Sequence, residues 1–109
     1  MSLLSLKGTI VNLTNYPLTL VSERAVDLPQ TIPAHDQAEF KLSSHWSAIA
    51  GDVTYQIGDQ AAQQAFMLWY VQAVGANSYN TQVQPNDGQF SISRTGGSGY
   101  HPKVTFTLK

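Results

Sequence analysis

The run Ala65-Phe66-Met67-Leu68-Trp69-Tyr70-Val71-Gln72-Ala73-Val74-Gly75-Ala76-Asn77-Ser78-Tyr79 holds the longest apolar segment of the chain and then a sharp glycine break. Read as a strand, it places Phe66, Leu68 and Tyr70 on one face and Met67, Trp69 and Val71 on the other, because side chains alternate across a pleated strand. Neither face reads as plainly solvent-facing. Such a strand is either buried on both sides between packed layers or shows an aromatic-bearing face to something other than water. The reading expects Phe66, Leu68 and Trp69 in the core, and Tyr70, Asn77 and Tyr79 at a binding surface.

The flanking segments have the same character. Asp52-Val53-Thr54-Tyr55-Gln56-Ile57 alternates cleanly, with Val53, Tyr55 and Ile57 on one side and Gly51 and Gly58 bracketing it. Ser78 to Val83 is expected to be extended, and Pro85-Asn86-Asp87-Gly88 is a turn signal. Phe90 and Ile92 alternate with Ser91 and Ser93 in a further strand, Gly96 to Gly99 reads as a flexible loop, and Val104 to Leu108 closes the domain. Toward the amino terminus, Leu6 to Leu13 reads as a strand, Thr14-Asn15-Tyr16-Pro17 as the turn of a first hairpin, and Leu18 to Ser22 as its return. Thr31 to Pro33 is extended. Ala38 to Leu42 is a strand with Phe40 and Leu42 inward, and Ser43 to Ala50 is read as loop. Ala61 to Ala65 has some helical preference, which the strands around it are expected to override. About eight short strands without a convincing helix, and without an internal repeat, predict one domain over residues 1–109, an antiparallel β-sandwich.

Composition narrows the function. The charged fraction is 12%, about half the usual ~25%, so amides and hydroxyls must cover much of the surface. A net charge of -1 from six basic and seven acidic residues leaves no footprint for nucleic acid or for an anionic membrane, and neutral head groups are the better expectation. There is no cysteine, hence no disulfide framework and no thiolate chemistry. Met1 to Gly8 lacks the basic and apolar regions of a signal peptide, and no stretch reaches the roughly 18 apolar residues of a membrane span. The expectation is synthesis in the cytosol, with any action at a target membrane following leaderless release. Asn12-Leu13-Thr14 matches a glycosylation sequon, which carries weight only in a secreted chain.

No catalytic constellation emerges, and the chain is expected not to be an enzyme. His35, His45 and His101 lack metal-type neighbours at diagnostic spacing. The carboxylates are scattered, no Gly-x-Ser-x-Gly elbow precedes a helix, and the Thr95 to Gly99 loop lacks what a phosphate loop needs. No cofactor is expected. Aromatic side chains are the better candidates. Trp46, Tyr70, Tyr79 and Tyr100 combine an apolar body with a hydrogen-bonding tip, suited to stacking on a sugar, gripping a choline-like cation or sitting at a membrane interface. With Asn77 they form the expected lipid- or sugar-binding set.

The order of motifs resembles the aegerolysin and Crystal-ET79 type of β-sandwich protein. It is carried by Asn12-x-Thr14-Asn15, Leu18-x-Leu20, Ile32-Pro33-Ala34 before Ala38-x-Phe40, Gly51-Asp52-Val53-Thr54-Tyr55, and Leu68-Trp69 before Gly75-x-Asn77-x-Tyr79. The wider fold resembles the actinoporin-like sandwich, shared with anemone cytolysins and certain fungal fruit-body lectins. The resemblance implies recognition of membrane lipid head groups, sphingolipids above all, and in some members action with a larger pore-forming partner as a cytolytic or insecticidal pair. The chain lacks the long amphipathic helix that actinoporins insert, so pore formation by this chain alone is not expected. Two alternatives remain: a lectin-like module using Trp46, Tyr79 and Tyr100 with Asn77, Asn80 and Asp87, or an interaction protein in which the second face of the Ala65 to Val71 strand closes a homodimer.

Overall fold

Period-two alternation resolves into nine strands among the described residues of a computed structural model, which are 3–45, 48–59 and 62–109. They are β1 (Leu4–Asn12), β2 (Leu18–Arg24), β3 (Thr31–Ile32), β4 (Asp36–Ser44), β5 (Ala48–Ile57), β6 (Gln64–Gln72), β7 (Ser78–Gln84), β8 (Ile92–Gly96) and β9 (Lys103–Leu108). A four-stranded sheet runs β4-β1-β9-β8 and a five-stranded sheet runs β3-β2-β5-β6-β7, so the chain is an all-β sandwich. Every ladder is antiparallel except β1–β9, which pairs Lys7 with Lys103 through Asn12 with Leu108 in parallel. A parallel pair needs a long crossover, and here the chain between the first and last strands supplies it.

The first expected hairpin is absent. β1 and β2 belong to different sheets, and residues 13–17 carry the chain across the sandwich. Asn12 holds that crossing. Its buried amide donates to the Tyr16 carbonyl at 2.8 Å and the Pro33 carbonyl at 3.0 Å, and its Oδ1 accepts from the Thr14 hydroxyl at 2.7 Å and amide at 3.1 Å. Backbone groups that a hairpin ladder would have paired are satisfied by this side chain instead. The sequon match is therefore a structural motif, its amide nitrogen sequestered.

Other boundaries moved as well. The loop expected over Ser43 to Ala50 is mostly strand, since β4 runs to Ser44 and β5 begins at Ala48, which puts Gly51 inside a strand. Phe90 lies before β8 rather than in it and meets Tyr16 edge-on at 6.0 Å.

The largest correction concerns β6. Ala65, Met67, Trp69 and Val71 point into the core, while Phe66 and Leu68 lie half-buried on the outer face of the sheet with Tyr70. Period-two alternation was right, but the face was not, because the partner layer and not the strand's own hydrophobicity decides which side is covered. Trp69 is fully buried, at 0% exposure. Its ring tilts against Phe40 of the opposite sheet with centroids 4.8 Å apart. Both rings rest on glycines: a Cβ on Gly8 would fall inside the Phe40 ring's contact distance, and one on Gly51 would come within 2.8 Å of Trp69 Nε1. Gly8, Phe40, Trp69 and Gly51 thus form a small-large-large-small stack through the middle of the sandwich.

Candidate ligand-binding site

At one end of the sandwich, the loop between β6 and β7 meets the loop between β8 and β9, one from each sheet. They enclose an open cavity of about 400 Å³ lined by Gln72, Asn77, Tyr79, Arg94, Tyr100 and the glycines of both loops. Asn77 is the strut between them. Its Nδ2 donates to the Gly97 carbonyl at 2.9 Å and the Gly99 carbonyl at 2.8 Å, and its Oδ1 accepts from the Gln72 amide at 3.1 Å. Tyr79 adds a second tie, its hydroxyl donating to the Gly97 carbonyl at 2.8 Å while its ring meets Phe106 edge-on at 6.3 Å. Gly97 is required there: its φ of 108° is open to glycine, and a Cβ would come 2.5 Å from the Tyr79 ring.

Burial pushes the Tyr79 phenol above its ordinary pKa, with Arg94 and the hydrogen bond to Asn77 acting in the opposite direction. The hydroxyl therefore stays a neutral donor at physiological pH. Arg94 lies over the Tyr79 ring, 4.9 Å from its centroid, and donates to the Gly96 carbonyl. A guanidinium carries five N–H donors, so capacity remains for a ligand. Two apolar side chains stand out here: Val74, next in sequence to the lining Gly75, is 86% exposed, and the lining Tyr100 is 60% exposed.

Of the expected site residues, Asn77, Tyr79 and Tyr100 come together in this cavity. Asn77 and Tyr79 act as struts, their polar groups engaged by loop carbonyls. Tyr70 stands apart: at 39% exposure it faces outward from the five-stranded sheet between Ala50 and Ser78. Trp46 lies outside the described residues. Arg94 was missed, although an arginine just before a glycine loop in a chain so poor in charge was the available signal. Among the described residues no three His, Asp or Glu side chains gather as a metal would need, and no helix is long and apolar enough to cross a membrane.

Neither a protein-family model nor a curated protein sequence matches the chain. Solved structures do. The lipid-binding protein Nakanori superposes with a TM-score of 0.77 at 14% identity, covering 97% of this chain and 71% of that one. The Xerocomus chrysenteron lectin XCL superposes with a TM-score of 0.61 at 8% identity, covering 100% of both chains. At such identities the likeness is one of fold, and the resemblance drawn from motif order stands at that level: this chain has a β-sandwich fold shared with a lipid-binding protein and a lectin.

Proposed function

We propose that the chain is a non-catalytic lipid-binding module whose end cavity takes the phosphate of a membrane lipid head group, a sphingolipid first among candidates. The observation that carries this reading is Arg94. A guanidinium with donors to spare is the natural partner of a phosphate. Because Arg94 already covers the face of Tyr79, that ring is not free to grip a choline cation or stack on a sugar. The exposed Tyr100 at the cavity and Val74 beside its Gly75 suit the boundary between head groups and acyl chains. Any cytolytic or insecticidal action belongs to a pair, with this chain binding lipid and a larger pore-forming partner perforating the membrane.

Co-sedimentation with vesicles containing sphingomyelin or ceramide phosphoethanolamine tests the reading. Arg94→Gln should weaken binding about tenfold or more, as expected for loss of a charged hydrogen bond, while Tyr70→Ala leaves it unchanged. Failure of the native chain to bind any sphingolipid-containing vesicle removes the reading.

A second reading rests on the outer face of β6. Phe66 borders a cavity of about 140 Å³ with Thr54, Gln64, Gln82 and Gln84, an aromatic ring among amides and a hydroxyl as a sugar site requires. Binding on a glycan array that is abolished by Phe66→Ala would favour it over the lipid reading, and a silent array at high protein concentration would dismiss it. The same face would close a homodimer, which light scattering at high micromolar concentration would reveal.

A further inference from the structure

The outer face of the four-stranded sheet carries an arrangement at odds with the chain's sparse charge. Lys7 of β1 pairs directly with Lys41 of β4 on one side and with Lys103 of β9 on the other, so three lysines stand abreast in a single row. Adjacent strands lie about 4.8 Å apart, which places the three α-carbons within a span of about 10 Å. These are half of the six basic residues in the chain. Like charges directly opposite one another destabilise a sheet, and among the described residues none of the three lysines makes an ion pair. Among the described residues the one ion pair is Arg24–Asp52, on the other sheet. Glu39, in the next row of β4 opposite Thr9, puts a carboxylate on this face, and among the described residues it makes no ion pair.

A second observation falls at the same place. Between β1 and β4 the sheet surface forms a groove of about 280 Å³ lined by Ser5, Lys7, Lys41 and Ser43, with Leu6 and Leu42 between them. Ser5 and Ser43 are cross-strand partners, one outward row from the Lys7–Lys41 pair. The Ser5 hydroxyl lies 2.7 Å from His101 Nδ1. Two lysines and two serines line one groove, with a third lysine in the same row, and although the Ser5 hydroxyl is shared with His101 the set has no acceptor of matching charge. That is the complement of a compact, doubly charged oxyanion. The groove also adjoins the end of the sandwich that holds the ligand cavity, since the Ser5 amide donates to the Tyr100 carbonyl at 3.1 Å and the Lys7 amide to the Pro102 carbonyl at 3.0 Å.

We propose that Lys7, Lys41 and Lys103, with Ser5 and Ser43, form a second binding site, for a phosphate monoester dianion. Its source is the head group of an anionic lipid neighbouring the one held in the end cavity, or phosphate free in solution. The lipid source rests on the membrane-binding reading above, and the phosphate chemistry does not. Long lysine side chains reach from the side of a docked sandwich to the head-group plane while their stems stay on the sheet.

The double variant Lys7→Gln/Lys41→Gln decides the matter with two readouts. The first is partition onto sphingomyelin vesicles with and without added phosphatidic acid. The native chain should bind more tightly when phosphatidic acid is present, and the variant should lose that gain by about fivefold per lysine while binding sphingomyelin-only vesicles normally. The second is thermal unfolding in sodium phosphate against sodium chloride at matched ionic strength and pH 7. Phosphate should raise the native melting temperature by more than it raises that of the variant, whose own baseline should rise as the cross-strand repulsion is relieved. If vesicles fail to bind but the phosphate-specific stabilisation persists and needs the lysines, the oxyanion site stands with free phosphate as ligand and the membrane reading falls. An equal phosphate effect on both proteins, together with no lysine-dependent gain on phosphatidic acid vesicles, overturns the site.

Discussion

At the residue scale, what distinguishes this sandwich is how two large rings are seated. Trp69 and Phe40 fill the middle of the core because Gly51 and Gly8 leave room beneath them, an exchange of volume between facing positions that keeps interior density high. The cost shows at Trp69 Nε1, a buried donor without a hydrogen-bond partner among the described residues. Unpaired buried donors are unfavourable, so ring packing outweighs the lost bond here. Gly51→Ala should therefore destabilise by about 1–3 kcal/mol, since the added methyl has no room to relax between the Arg24 carbonyl at 2.7 Å and the indole at 2.8 Å. Chemical denaturation measures this, and an unchanged midpoint would show that the indole is not wedged against the glycine.

Among elements, the decisive contact is between two loops from different sheets. Asn77 ties the β6–β7 loop to the β8–β9 loop through two carbonyls, and with Tyr79 it fixes the wall of the cavity. Asn77→Ala leaves the Gly99 carbonyl and the Gln72 amide without their partner, while the Gly97 carbonyl keeps the Tyr79 hydroxyl, at a cost of about 1–3 kcal/mol. Hydrogen exchange gives the sharper readout, because the Gln72 amide, which donates to Asn77 Oδ1, should lose protection while the strand interiors of β5 and β6 keep theirs. Unchanged exchange at Gln72 would mean that the loops are held by Tyr79 alone.

On the scale of the whole molecule, two phenols couple stability to alkaline pH. Tyr55 donates to the Pro29 carbonyl at 2.7 Å, and burial, helped by the charge of Glu23, pushes its pKa up to about 12. Burial raises the pKa of Tyr79 as well. An unfolded tyrosine ionises near pH ~10, so the folded state holds its proton more tightly than the unfolded chain does. The corresponding stabilisation is complete below pH 10 and is lost as pH climbs toward about 12. Tyr55→Phe should flatten the fall in stability across that window, at a constant cost at neutral pH from the lost hydrogen bond. An identical alkaline profile for the variant would place the dependence elsewhere.

The sandwich class and the strands around Val53, Tyr55, Ile57 and Val104 to Leu108 were legible because alternation and turn residues are local properties, written in neighbouring positions. Asn77, Tyr79 and Tyr100 were legible as a group because they flank glycine loops. Which face of β6 is core was not legible, since Phe66 and Leu68 are as apolar as Met67 and Trp69 and only the opposing sheet chooses between them. Nor was the crossing at Asn12, which looks like a hairpin turn until the Pro33 carbonyl arrives from a distant segment. Arg94 and the row Lys41–Lys7–Lys103 lie far apart in the chain and acquire meaning only from strand register. Local pattern thus determined that this chain folds as a β-sandwich, and long-range pairing alone decided where its rings are buried and where its charges meet.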